Sequence, residues 1–168
     1  MSEVKPNLIR DARKLFEKAP CHATFEMELV YVAANTVTVK VKVSQDHTTS
    51  YPGSLQGGML AVFTDSIMWL ATMTYIESTK RGTLLDALNL QGPEFRTSGL
   101  KLQFIRGPQE GDLLTVSAKC VDVSVSHVPV SYQGESVRAK KKVYLATAKV
   151  NDQHGNLVAT AQTKIQFV

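Results

Sequence analysis

Between Met59 and Ile76 the only charged residue is Asp65, and Leu60, Phe63, Ile67, Met68, Trp69, Leu70, Met73 and Ile76 point to all sides of a helical wheel. A helix that is apolar all round must be enclosed, by lipid or by the rest of the chain. A bilayer fits poorly, because Asp65 falls within the segment beside Thr64, Ser66, Thr72 and Thr74, and a charge at that depth is costly. The remaining chain reads as strands, so the expected enclosure is a sheet that curls around the helix.

The stretch that opens this helix is Ser50-Tyr51-Pro52-Gly53-Ser54-Leu55-Gln56-Gly57-Gly58. Pro-Gly signals a turn. The paired glycines leave the first backbone N–H groups of the helix uncovered, and such groups at a positive helix end suit an oxyanion or a phosphate. The plainer alternative is that the glycines only let a buried helix pack closely. Asp65 favours the first reading, since a lone carboxylate in an apolar helix is expensive unless it has a task or a partner. Gly57 and Asp65 are about 12 Å apart along one helix. If they act on one small group, Asp65 must come from a second subunit, with two such helices packed antiparallel about a two-fold axis.

Either side of this helix the periodicity changes to two. Asn7 to Lys18 is read as an amphipathic helix stopped by Pro20, and Thr24 to Val32 and Thr36 to Val43 as a hairpin turning at Ala33-Ala34-Asn35. Glu77 to Gly92 is taken as a loop. Thr97 to Ile105, Leu113 to Val125, Val143 to Val150 and Leu157 to Phe167 are expected strands, with a polar stretch from Val128 to Arg138 between the second and third. The order is helix, two strands, long helix, four strands. It predicts one α+β domain over residues 1–168: an N-terminal helix (1–20), then a core (21–168) in which an antiparallel sheet wraps a central helix at about 56–78.

A net charge of +4 with 20% charged residues favours an anionic ligand without demanding nucleic acid. Arg138-Ala139-Lys140-Lys141-Lys142 reads either as a solvated strand edge or as a phosphate contact, and no aromatic platform accompanies it for nucleic-acid bases. Cys21 and Cys120 lack ligand spacing, and His22, His47, His127 and His154 form no metal pair and are read as surface or loop residues. No secretory signal precedes the first helix. A cytoplasmic protein is expected, with a mitochondrial presequence left open by the basic residues of that helix.

The stretch from Ser50 to Asp65 resembles the motif Asn-x-x-Gly-x-x-His-Gly-Gly-x6-Asp of the hotdog-fold acyl-CoA thioesterases of the phenylacetate-pathway type. Gly53, Gly57, Gly58 and Asp65 match, whereas Ser50 replaces the Asn and Gln56 the His. The resemblance extends from about Thr24 to the end of the chain. It implies a hotdog fold and hydrolysis of an acyl-CoA to free acid and CoA at a site shared between two subunits of a dimer or a dimer of dimers. The Gly57 N–H would bind the thioester carbonyl, and Asp65 would serve as general base or nucleophile. Thr97, or Ser98 beside it, would hold the attacking water, with Ser50 contributing where the family has Asn.

Gln56 and Gly58 would shape the substrate entrance, and Arg138, Lys140 and Lys141 could meet the CoA phosphates. Met59, Phe63 or Trp69 would line the acyl pocket. No cofactor is implied, coenzyme A being part of the substrate. The two departures motivate an alternative, an acyl-CoA or lipid-binding protein with weakened catalysis. A dehydratase would need a catalytic histidine at the helix entrance, for which His47 is the candidate.

Overall fold

The computed structural model describes residues 6–49, 53–79, 95–132 and 135–167. Helix α1 (Pro6–Lys18) is followed by a short α2 (Pro20–Thr24), strands β1 (Glu28–Val32) and β2 (Thr36–Lys42), and a 3-10 turn at Gln45–His47. The long helix α3 (Gly57–Thr79) leads to β3 (Phe95–Phe104), β4 (Leu113–Tyr132), β5 (Glu135–Asn151) and β6 (Leu157–Phe167). The expected loop from Glu77 to Gly92 lies outside the described residues beyond Thr79.

All six strands join one antiparallel sheet in the order β1-β2-β4-β5-β6-β3. The sheet meets α3 with one residue in two. On β2 these are Val37, Val39 and Val41, and on β4 Leu114, Val116, Ala118 and Cys120, all at 2% exposure or less. On β5 and β6 the buried Tyr144, Val150 and Ile165 are accompanied by four small helix-facing residues, Ala146, Ala148, Ala159 and Ala161. Their lack of bulk leaves room for a helix that carries Phe63, Ile67, Met68 and Met73. Cys120 is a free thiol in the core.

The helix is not covered on every side. Val62 is 37% exposed, Gly58 is exposed, and Ala61, Asp65 and Trp69 are half-buried. Gly58, Val62, Asp65 and Trp69 fall on one face at helical spacing. A sheet of this width wraps one side of a helix, and the opposite side of its N-terminal half stays open. Strand β3 borders that opening. It pairs only with β6, so its other edge carries no strand among the described residues.

Three boundaries differ from the periodicity. Pro20 ends α1 but also begins α2, in keeping with proline's preference for the first turn of a helix, and strand structure starts at Glu28 rather than Thr24. Beyond Val125, β4 and β5 continue as a long two-stranded arm whose last pair among the described residues is Tyr132 with Glu135, where the sequence shows a polar stretch between two expected strands. Two histidines are interior. His22 is 5% exposed, stacks on Phe16 at 4.2 Å and has Nδ1 2.9 Å from the Phe16 carbonyl oxygen. His47 is 4% exposed and meets the edges of Phe25 and Phe63. Phe63 has no exposed surface and packs between them, so it is a core residue and not part of a pocket wall.

Phe63→Ala should therefore cost about 3–5 kcal/mol in denaturant unfolding, while Val62→Ala one position away should cost less than about 1 kcal/mol. Burial pushes the His22 pKa below its ordinary 6.5, against the smaller opposing effect of the Phe16 carbonyl. Between those two values the unfolded chain binds a proton that the native chain refuses. Stability should fall as pH drops below 6.5, until His22 is protonated in the native state as well. In His22→Phe that contribution should vanish from a Tm-versus-pH series.

Candidate active site

The chain enters α3 through a clamped loop. Gly53 has φ of +81°, a left-handed conformation suited to glycine, and its carbonyl accepts the Glu110 N–H. On one side Thr48 bridges Leu55 and the Thr49 N–H donates to the Ser54 carbonyl at 2.8 Å. On the other side Ser54 bridges Gln109 and the Leu55 N–H donates to the Pro108 carbonyl at 3.0 Å. His47 anchors the base of the loop: its Nδ1 accepts the Ser44 N–H at 3.2 Å, and its carbonyl accepts the Gln56 N–H at 2.9 Å. With its ring buried and Nδ1 occupied, His47 holds the loop, and a dehydratase would lack its exposed histidine.

Gln56 sits just ahead of the helix, and its carbonyl accepts the Met59 N–H at 2.9 Å. The N–H groups of Gly57 and Gly58 meet no backbone acceptor among the described residues, as expected of the first turn of a helix. No acidic residue lies in that turn to neutralise it. The helix therefore presents two free donors at its positive end. The glycines have different reasons to be glycine. A Cβ at position 57 would come within 3.0 Å of the Phe104 ring, whereas one at position 58 would meet nothing within 4 Å. Packing inside the chain explains Gly57 and leaves Gly58 unexplained.

Two turns further along the open face, Asp65 receives a hydrogen bond from Thr97, whose Oγ1 lies 3.1 Å and 3.3 Å from the two carboxylate oxygens. Thr163 Oγ1 lies 3.4 Å from Asp65 Oδ1. Thr97 reaches the carboxylate because of a bulge. Thr97 pairs with Ile165 and Gly99 with Lys164, so Ser98 is an extra residue in β3. Strict alternation back from Phe104 and Leu102 would put Ser98 on the helix side. The bulge turns Thr97 there instead and leaves the Ser98 hydroxyl donating to the Lys164 carbonyl at 3.1 Å. Asp65 is half-buried and Thr97 exposed, so the carboxylate is accessible from the open face.

The structure thus brings Asp65, Thr97 and Thr163 together and keeps Gly57 and Gly58 at the other end of the same helix segment. Ser98 is not brought to the carboxylate. Gln56 is exposed beside the free N–H groups. Arg138, Lys140 and Lys141 belong to the arm of the β4–β5 hairpin, on the part of β5 that precedes its first pairing with β6 at Lys142. Ser50 lies outside the described residues. Thr163 was not singled out from sequence. Its signal is that it is the one hydroxyl in the helix-facing series Ala159, Ala161, Thr163, Ile165. A groove of about 380 Å³ lies on the opposite face of the sheet, lined by Lys101, Gln103, Thr147, Lys149, Thr160 and Gln162 among others, and touches neither Asp65 nor Gly57.

Three solved structures share this architecture. The Escherichia coli PaaI protein from the phenylacetic acid degradation operon superposes with a TM-score of 0.68 at 17% identity, covering 99% of this chain and 96% of that one. Thioesterase superfamily member 2 from Mus musculus gives 0.62 at 16% identity, over 99% and 98%. A Streptococcus mutans protein bound to acetyl CoA gives 0.60 at 16% identity, over 84% and 88%. At such identities the likeness establishes the fold, which is the hotdog fold. No curated protein matches the chain in sequence. The thioesterase superfamily pattern matches residues 52–140, more than half of the sequence and including both the glycine pair and Asp65. The chain belongs to the thioesterase superfamily.

Proposed function

We propose that this protein hydrolyses an acyl-CoA to the free acid and coenzyme A, at sites each built from two copies of the chain. The observation that carries the reading is the Asp65 carboxylate, set on the open face of α3 and held by the Thr97 hydroxyl. A structural carboxylate would be satisfied by protein on all sides. This one keeps an accessible flank and a hydroxyl beside it, where a water molecule can be held.

In the proposed reaction the thioester carbonyl accepts the Gly57 N–H. Asp65 takes a proton from water as the water oxygen attacks the carbonyl carbon. The resulting oxyanion is stabilised by the preorganised N–H, an effect worth about 3 kcal/mol for one such donor. Collapse breaks the C–S bond and releases the CoA thiolate, leaving the acid. Since Gly57 and Asp65 of one chain are about 12 Å apart, the donor of one protomer serves the carboxylate of the other. The open stripe of Gly58, Val62 and Asp65, bordered by the unpaired edge of β3, offers a surface for this association. Two solved structures of the same fold, one bound to acetyl CoA and one with coenzyme A, support the substrate class. The phosphates are assigned to Arg138, Lys140 and Lys141 on the β4–β5 arm.

A second reading, an acyl-CoA-binding protein without turnover, is favoured by Ser50 and Gln56, which stand where related thioesterases carry Asn and His. Thiol release from a panel of short, long and aromatic acyl-CoAs separates the two. Turnover should be detected with at least one member and should fall about 10²–10⁴-fold in Asp65→Ala with an unchanged circular dichroism spectrum. Binding of acyl-CoA without thiol release would favour the second reading.

Gly58→Ala gives an independent check on the role of the glycine pair. Alanine is the better helix former by up to about 1 kcal/mol, and its Cβ meets nothing within 4 Å beyond the adjoining helix backbone among the described residues. The variant should match or exceed wild-type Tm yet lose about 10-fold or more in kcat/KM, because the added methyl enters the space where substrate or partner docks. Unchanged turnover would leave Gly58 without a function at the site.

A further inference from the structure

Asp65 has a second hydroxyl neighbour, on a different strand and in a different environment from Thr97. Thr163 is 1% exposed, and its Oγ1 lies 3.1 Å from the Gly99 carbonyl oxygen and 3.4 Å from Asp65 Oδ1. A threonine hydroxyl carries one proton and accepts through its lone pairs. It can donate to Gly99 or to Asp65, but not fully to both. The two acceptors differ in kind. The Gly99 carbonyl always accepts, whereas Asp65 accepts when ionised and can donate from Oδ1 once protonated.

We infer that Thr163 is a positioning residue whose hydroxyl follows the protonation state of Asp65, donating to the carboxylate before it takes a proton and to the Gly99 carbonyl afterwards. This rests on Asp65 as the base of the proposed hydrolysis. While Asp65 is ionised, the Thr163 proton points at Oδ1 and orients the carboxylate against Thr97. When Asp65 takes the proton from water, the direction of the hydrogen bond reverses: Asp65 donates to Thr163 Oγ1, and the Thr163 O–H turns to Gly99. No proton leaves Thr163, and no bond to a heavy atom is made or broken there. Neither state leaves a buried hydroxyl unsatisfied, so the protonated intermediate is reached without stranding a polar group.

Thr97 cannot do this alone. It is exposed and its oxygen is shared between both carboxylate oxygens, whereas Thr163 is fixed in the core between Ala161 and Ile165, both buried. The bulge at Ser98 is again involved, because Gly99, which follows the extra residue, supplies the alternative acceptor.

The experiment compares Thr163→Val, which keeps the shape and removes the hydroxyl, with Thr163→Ser, which restores it. Where an acyl-CoA is turned over, Thr163→Val should lower kcat about 10-fold with KM changed less than about 2-fold, and Thr163→Ser should recover kcat to within about 2-fold. A kcat for Thr163→Val equal to wild type, alongside a large loss in Asp65→Ala, overturns the inference and leaves the hydrolase reading standing.

A double-mutant cycle on thermal unfolding decides the matter without turnover. With Thr163 donating to Asp65, the Tm losses of Thr163→Val and Asp65→Ala should be clearly sub-additive in the double variant. Strict additivity overturns the inference. Failure of every acyl-CoA to be hydrolysed, with a sub-additive cycle, would reject the hydrolase reading and retain the Thr163–Asp65 coupling.

Discussion

The structure depends on how much of α3 the sheet can cover. Its apolar residues demand enclosure, and the alternating faces of β2, β4, β5 and β6 supply it on one side through valines, alanines and Leu114. Burial of Phe63, Ile67, Met68 and Met73 contributes several kcal/mol in total at about 25 cal/mol per Å². The side left open is where Asp65, the only charge between Met59 and Ile76, sits. A fully enclosed Asp65 would need protein partners on every side. A fully exposed one would have no fixed partners. Its half-buried position on the rim gives it two hydroxyl neighbours and access to solvent.

Two kinds of rigidity meet at the start of α3. The loop ahead of it is held by backbone bonds to residues 47–49 on one flank and 108–110 on the other, and the buried His47 ring wedges it against Phe25 and Phe63. Free N–H groups in a floppy loop would reorganise around any ligand and gain little. Here they are held in place by the fold, which is the condition under which a hydrogen-bond donor can stabilise developing charge. The close approach of Phe104 to Gly57 extends the same principle, since the ring fills the space on the flank where a side chain would otherwise move.

Much of this was legible in the sequence. The charge-poor run from Met59 to Ile76 implied an enclosed helix, and the period-two segments implied the sheet around it. Glycines 57 and 58 with Asp65 marked the ends of the proposed site. What periodicity missed was local and had local causes. Pro20 could be read as a stop or a start, and it is both. The residues between Val128 and Arg138 showed only a polar stretch, because the part of the β4–β5 pair beyond Val125 lies ahead of the first pairing with β6 at Lys142 and the period-two pattern of the sheet does not extend to it. His22 and His47 were mistaken for surface residues because an imidazole packed against aromatic rings leaves no trace in a polarity pattern. Thr163 was hidden because one threonine in an otherwise regular strand is usually just a strand residue.

The bulge in β3 also affects how errors in that strand are tolerated. Counting from Phe104 without an extra residue turns Ser98 toward α3; with it, Thr97 takes that place. Adjacent positions thus both carry a hydroxyl, one for each parity of the strand. If the irregularity were lost by deletion of a neighbouring residue, the geometry around Asp65 would change but a hydroxyl would still face it. The segment is redundant in chemistry where it is irregular in backbone.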